Sequence, residues 1–241
     1  MNKVHELLGY ERIKIIQNDE MFSFSLDSML LANFVNTKGS KNIIDLGTGN
    51  APIPLFLTLK TDSKIIGVEI QKDVANIAIE SVKLNHFEDQ ITIINDDLKD
   101  IYKKVGANNF DIVTINPPFF KYTDESIINK NDYLTIARHE VLVTLVDCIK
   151  EANKLLKNDG KLYLVHRVNR MTEVIKELES NNFGIKKMQF IYPVKGKDSY
   201  MFLLEAKKNR PTDLVILEPL VVYENNEYTK EVKEIFNFNK D

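Results

Sequence analysis

Short β-branched runs recur through the first half of the chain, at Asn42–Leu46, Lys64–Glu69, Ile91–Ile94 and Asp111–Ile115. Each is apolar nearly throughout instead of alternating, the pattern of a strand buried on both faces of a parallel sheet. Between these runs apolar positions return every three or four residues. Val74, Ile77, Ala78 and Val82 mark one helix. Val141, Leu142, Leu145, Ile149, Ala152, Leu155 and Leu156 mark a second, which Asn158-Asp159-Gly160 stops. Lys161–His166 reads as a fifth strand and Met171–Asn181 as a further helix. Phe183–Tyr192 and Ser199–Glu205 read as two more strands, antiparallel because only a short turn over Pro193–Lys197 separates them. The alternation predicts an α/β fold, a Rossmann-like doubly wound sheet of seven mostly parallel strands with a late antiparallel hairpin. No repeat or low-complexity linker divides it. An apolar helix at Leu26–Phe34 precedes the sheet. The tail after Arg210 carries Leu214–Leu217, Leu220–Tyr223 and a short helix bearing Tyr228, Val232, Ile235 and Phe236, all expected to be packing elements.

The chain has 241 residues, one domain with small extensions at roughly 150 residues per domain. Its 44% apolar and 28% charged content is that of a globular protein. No apolar run approaches the about 20 residues of a membrane helix, and Met1–Tyr10 lacks the apolar core of a signal peptide. The single cysteine, Cys148, cannot form an internal disulfide, which predicts a reducing, cytoplasmic location. Four scattered histidines at no ligand spacing predict no metal site. The net charge of −3 conceals an asymmetry: Lys150–Asp213 holds 14 Lys and Arg against 8 Asp and Glu, a net +6, and leaves −9 elsewhere. A basic face of that kind can grip a polyanion without a basic isoelectric point, although lysine-rich helices facing water give the same count.

Asp45-Leu-Gly-Thr-Gly-Asn-Ala-Pro52 follows the first of these strands and opens a helix. Gly47 and Gly49 permit positive φ and let backbone N–H groups approach a ligand, and Pro52 fits a first helical turn. A dinucleotide fingerprint places glycine where Pro52 stands, which disfavours NAD and FAD. Asp45 suits a ligand with a cationic amino group. Glu69 ends the next strand, 20 residues beyond Gly49, the spacing of a carboxylate that accepts from ribose hydroxyls. Asp97 follows the third strand and can accept from an adenine amino group. Strand carboxyl ends share one crevice in such a sheet, so the three acids converge there. An amino-acid end, a ribose and an adenine together describe S-adenosylmethionine.

Asn116-Pro117-Pro118-Phe119 follows the fourth strand. Two prolines fix φ twice and remove two donors. The Asn116 side-chain oxygen and the Pro117 carbonyl then form a pair of acceptors suited to an –NH2 group on a planar ring, and Phe119 can stack on that ring. Accepting both hydrogens makes the nitrogen pyramidal and frees its lone pair, so positioning and electrostatics replace a strong base.

These turns resemble those of class I S-adenosylmethionine-dependent methyltransferases that modify exocyclic amines. Met21–Phe34, with its Phe-Ser-Phe-Ser-Leu-Asp segment, and Asp45–Pro54 are similar to the bacterial tRNA(Val) (adenine-37-N6)-methyltransferase family, as are Ala137-Arg-His-Glu140 and the hairpin Tyr192–Phe202. The likeness covers about residues 10–236. It implies catalysis by Asn116, Pro117, Pro118 and Phe119. It implies a cofactor site of Ser25, Asp45, Gly47, Thr48, Gly49, Asn50, Glu69, Ile70, Asp97 and Leu98, with Ser25 over the methionine end. Asp97 is preferred to Asp96 because Leu98 beside it can pack on the adenine. Ala51 departs from the glycine common at that place in the wider class. Residues 1–40 are expected to pack near the cofactor site, 41–210 to form the methyltransferase domain and 211–241 a C-terminal extension.

The partner implied is tRNA, whose anticodon-loop bases are already unpaired. Candidate phosphate contacts are Lys121, Arg138, Arg167, Arg170, Lys186, Lys187, Lys195 and Lys197. The polar connection 120–139 reads as a substrate-facing lid or a short helix. A protein glutamine N5-methyltransferase usually ends the Asn-Pro-Pro turn in tyrosine and carries a larger N-terminal domain. A DNA adenine methyltransferase normally has a separate recognition domain. A non-catalytic RNA-binding or cofactor-sensing protein has no use for an intact Asn116 and Phe119.

Overall fold

The computed structural model describes residues 2–7, 10–18, 26–119 and 142–236. A strand pair opens the chain, β1 (Asn2–Leu7) and β2 (Tyr10–Asn18), followed by α1 (Leu26–Phe34). Alternation then begins: β3 (Asn42–Leu46), α2 (Pro52–Leu57), β4 (Lys64–Glu69), α3 (Lys72–Leu84), β5 (Ile91–Asn95), α4 (Tyr102–Val105) and β6 (Phe110–Ile115). Next come α5 (Leu145–Leu155), β7 (Leu156–Arg167), α6 (Met171–Ser180), β8 (Phe183–Val194) and β9 (Met201–Lys208). The tail adds β10 (Val215–Ile216), β11 (Leu220–Glu224), β12 (Glu227–Tyr228) and α7 (Lys230–Phe236).

The main sheet runs β12-β11-β8-β9-β7-β6-β3-β4-β5, with β10 also on β8. β3 to β7 are mutually parallel, and β9 is antiparallel to both of its neighbours. The seven expected strands are all present, so the fold is the mixed, mostly parallel α/β sheet predicted. The count of seven is corrected to ten by the tail, whose runs were expected only to pack. β10 and β11 instead add to the free edge of β8, in parallel. The tail reaches that edge by crossing Gly184, where an added Cβ would strike the Arg210 and Pro211 carbonyls.

Neighbouring residues on one strand serve opposite layers, as a pleat requires. Ile43 packs in the layer of α1 and α2, and Ile44 in that of α5 and α6. The second helix begins later than its periodicity suggests, at Leu145, because Thr144 and Asp147 form a reciprocal capping box. Half-buried Lys60 and buried Lys208 close two helix C-termini. Lys60 Nζ donates to the carbonyls of Ala32, Asn33 and Val35 after α1 (3.2, 2.6 and 2.6 Å). Lys208 Nζ donates to those of Asn153 and Leu156 at the end of α5 (2.5 and 2.9 Å). The opening strand pair docks on α3 and the β3–α2 turn. Asn85 accepts from Lys14 N (2.8 Å) and donates to Lys14 O (2.6 Å), while Asn50 Nδ2 donates to Ile16 O (3.0 Å).

Candidate active site

Strand order reverses between β3 and β6, which places the sheet's topological switch point beside the carboxyl ends of those two strands. Leu46 and Ile115 are partners in the register. Gly47 and Asn116, the next residue of each strand, therefore start side by side, 69 positions apart in the chain.

Gly47 and Gly49 have φ of 71° and 58°, and a Cβ on either would meet nothing within 4 Å. Glycine is required here by the left-handed backbone, not by crowding within the protein. Gly47 N and Thr48 N both donate to Val68 O at 2.9 Å, tying the turn to β4. Glu69 adds a second tie: Oε2 accepts from Gly49 N (3.0 Å) and Oε1 from Gln71 N (2.9 Å). Burial raises the Glu69 carboxyl above its ordinary pKa, and these backbone donors oppose that rise. Pro52 opens α2, where its missing N–H costs nothing.

A cavity of about 120 Å³ opens against this turn. Of the expected cofactor residues, Gly47, Thr48, Gly49, Asn50, Glu69, Ile70 and Leu98 line it; of the expected catalytic residues, Asn116, Pro117 and Pro118 do. Ser25 lies outside the described residues. Two acids require correction. Asp45 is 1% exposed and absent from the cavity wall. It lies within the sheet, where its Oδ1 accepts from Thr114 Oγ1 (2.5 Å) and its Oδ2 has no partner. Burial without a cation raises its pKa to about 7. Asp97 is the second. Asp96 faces the cavity in its place, because Asp96 N donates to Glu69 O (3.1 Å) and extends the β4–β5 ladder by one residue. Asp97 turns back on its own loop, accepting from Lys99 N (2.9 Å) and pairing with Lys99 Nζ (3.4 Å).

Phe119 stands off the cavity wall. Its ring meets His166 edge to face at 5.5 Å, and the Arg167 guanidinium lies 5.3 Å from its centroid. His166 is fully buried, accepts from Arg167 N through Nδ1 (2.8 Å) and is held neutral by burial, its pKa lowered to about 4. Sequence reasoning missed Ser28, Gln71 and Val143 on the cavity wall. Ser28 carried a faint signal, as a hydroxyl at the head of the buried run Ser28–Ala32.

The basic candidates divide. Lys195 and Lys197 are exposed on the β8–β9 turn, at the same end of the sheet as Asn116. Arg167 is half-buried, over the rings of Phe119 and Tyr200. Arg170 is corrected: it is 8% exposed and bound to Glu173 through Nη2 (2.8 Å) and Nε (3.2 Å), a structural pair. Lys186 is occupied by Asp213 and by the Pro211 carbonyl (2.8 Å), and Lys187 lies mid-strand, 3.9 Å from Glu205. Lys186 is thus already paired, whereas Lys187 is 43% exposed and keeps only that long contact. Lys121, Arg138, the segment Ala137–Glu140 and the connection 120–139 lie outside the described residues. Among the described residues no helix is long and apolar enough to cross a membrane, and no three His, Cys, Asp or Glu side chains gather as a metal site.

Comparison with known proteins gives a consistent picture. A tRNA1(Val) (adenine(37)-N6)-methyltransferase of Haemophilus influenzae is 26% identical over 229 residues, 94% of each chain. One of Trichodesmium erythraeum is 24% identical over 206 residues, 83% of this chain and 84% of its own. Among solved structures, a predicted O-methyltransferase of Agrobacterium tumefaciens superposes with a TM-score of 0.68 at 22% identity, over 88% of this chain and 96% of that one. TrmK of M. capricolum, solved with S-adenosyl-homocysteine, gives 0.56 at 22% identity, over 80% and 72%. The family profile described as the methyltransferase small domain matches residues 12–189, a span that holds β3 to β7, the glycine turn and the Asn-Pro-Pro turn. The chain is a member of the methyltransferase small domain family.

Proposed function

We propose that this protein transfers a methyl group from S-adenosylmethionine to the N6 amino group of an adenine in tRNA, namely adenine 37 of valine tRNA, in the cytoplasm. One observation carries the reading. The register of β3 against β6 sets an acceptor-rich, proline-stiffened turn beside a left-handed glycine turn on one cavity.

The cavity fits the cofactor on its own chemistry. Space stands open over both glycines, and Glu69 presents a carboxylate whose oxygens, each already taking one N–H, retain lone pairs for ribose hydroxyls. Ile70 and Leu98 would flank the adenine ring, with Asp96 as the acceptor for its amino group. Thr48 and Asn50, with Ser25 as implied by the family resemblance, would hold the methionine end. Bound there, S-adenosylmethionine supplies an electrophilic methyl group. Asp45, sealed within the sheet, acts by holding the turn through Thr114.

Asn116 Oδ1 and the Pro117 carbonyl accept the two hydrogens of the target amine and draw its lone pair out of conjugation. The nitrogen becomes nucleophilic without losing a proton first, and one proton, acidic once the nitrogen carries charge, passes to solvent. Pro117 and Pro118 keep these acceptors from relaxing. Phe119, braced by His166 and Arg167, offers a face to the base outside the cavity, and Lys195 and Lys197 meet phosphates. The names of the relatives support the valine tRNA and position 37.

The test is transfer of labelled methyl to tRNA from a strain lacking the modification, followed by nucleoside analysis. N6-methyladenosine next to the valine anticodon is expected. Label in protein or DNA alone, or in another nucleoside, overturns the reading.

A further inference from the structure

We propose that Ser28, on α1, is a positioning residue that holds the Asn116 carboxamide in place, with its oxygen toward the target amine. The inference rests on the reading of Asn116 given above. Asn116 Nδ2 donates to Ser28 Oγ at 3.0 Å, and both residues line the cavity. With the nitrogen turned to Ser28, Oδ1 is left for the cavity, and no protein donor among the described residues reaches it. A carboxamide has one accepting and one donating end on a single rotor. Rotated by half a turn, Asn116 would set an N–H donor against the amine's own hydrogens, a repulsive contact with no nucleophilic outcome. A partner behind the side chain restrains that rotor, and in the observed orientation the catalytic oxygen is left for the cavity.

Ser28 is fit for that task because it does not move freely. It is 5% exposed, and Met29 to Ala32 behind it are all buried, which clamps α1 against the sheet. The far end of α1 is locked by Lys60, whose ammonium takes the carbonyls of Ala32, Asn33 and Val35. The hydroxyl is thus presented from a fixed helix, and alanine there would leave Nδ2 unpaired in a half-buried place, at the cost of an unsatisfied donor.

Ser28→Ala and the near-isosteric Ser28→Cys are measured for kcat, for KM toward tRNA and for cofactor affinity by calorimetry. Each is repeated in an Asn116→Ala background. Expected is a fall in kcat of about 10-fold, with KM and cofactor affinity changed less than about 2-fold, and no further loss once Asn116 is alanine, since coupled residues are not additive. An unchanged kcat in a folded Ser28 variant, or an equal loss in the Asn116→Ala background, overturns the proposal.

A second measurement needs no substrate. The side-chain amide protons of Asn116 in 15N-labelled protein, assigned by their absence from Asn116→Ala, are expected to shift and to exchange faster in Ser28→Ala or Ser28→Cys. Unmoved signals in a folded variant refute the link. Should the wild-type protein transfer nothing to tRNA, this measurement still decides whether Ser28 holds Asn116, and the failure falls on the substrate assignment alone.

Discussion

Asn116 and Asp45 lie on adjacent strands at one end of the sheet, yet chemistry separates them. Asn116 reaches the cavity, and its acceptor is needed only when charge develops on the target nitrogen. Asn116→Ala should lower kcat by about 10²–10³-fold, the cost typical of one transition-state hydrogen bond, while calorimetric affinity for S-adenosylmethionine holds. Equal losses in both would place Asn116 in the cofactor cradle instead. Asp45 affects stability. Its folded-state pKa, about 7, exceeds the ordinary 3.8 because it is buried away from any cation. Between those values the folded protein holds a proton that the unfolded chain releases, so stability falls as pH rises from about 4 through 7. Asn is neutral throughout, and its Nδ2 can serve the unpartnered Thr48 Oγ1 while its oxygen still accepts from Thr114. Asp45→Asn should therefore raise the melting temperature more at pH 8 than at pH 4. A gain independent of pH would refute the assignment.

At the scale of elements, fixed helix ends and a docked strand pair prepare the site. The β1–β2 pair has little core of its own, since five of the six residues of β1 are exposed. Its attachment runs through side chains that bond to backbone: Asn85 to both groups of Lys14, Ser81 Oγ to Ile16 N (3.0 Å) and Asn50 to Ile16 O. Asn85→Ala should speed amide exchange across residues 10–18 by about 10-fold, with protection in β3, β4 and β6 retained, because it removes about two hydrogen bonds from a local docking contact. Equal loss of protection in both places would mean that strand pair and sheet unfold as one unit. The four β-branched runs were readable because three of them, in β3, β4 and β6, are buried on both faces and leave no alternation to misread. The strand pair was not, because its partners lie 65 and 71 residues away on α3.

Across the whole molecule, charge sorting and topology meet at the carboxyl end of the sheet. The basic excess of Lys150–Asp213 is partly spent internally, on Glu173, Asp213 and the C-terminus of α5. What remains exposed at the Asn116 end is Lys195 and Lys197. Reversing both to glutamate should weaken tRNA binding about 10-fold or more at low salt and lower the slope of log affinity against log salt by about 2. An unchanged slope would remove this turn from the interface.

Residue order alone made the sheet, its glycine turn, the Asn-Pro-Pro turn and the likeness to tRNA adenine methyltransferases legible, because each is written in neighbouring residues whose backbone demands are local. It did not reveal that Asp96 and not Asp97 lines the cavity, that Asp45 is sealed off, that Arg170 and Lys186 are already paired, that the tail widens the sheet, or that Ser28 stands behind Asn116 from 88 residues away. Those outcomes depend on strand register and on which distant side chain fills the space left over. Through-space partners of that kind leave no periodic trace along the chain.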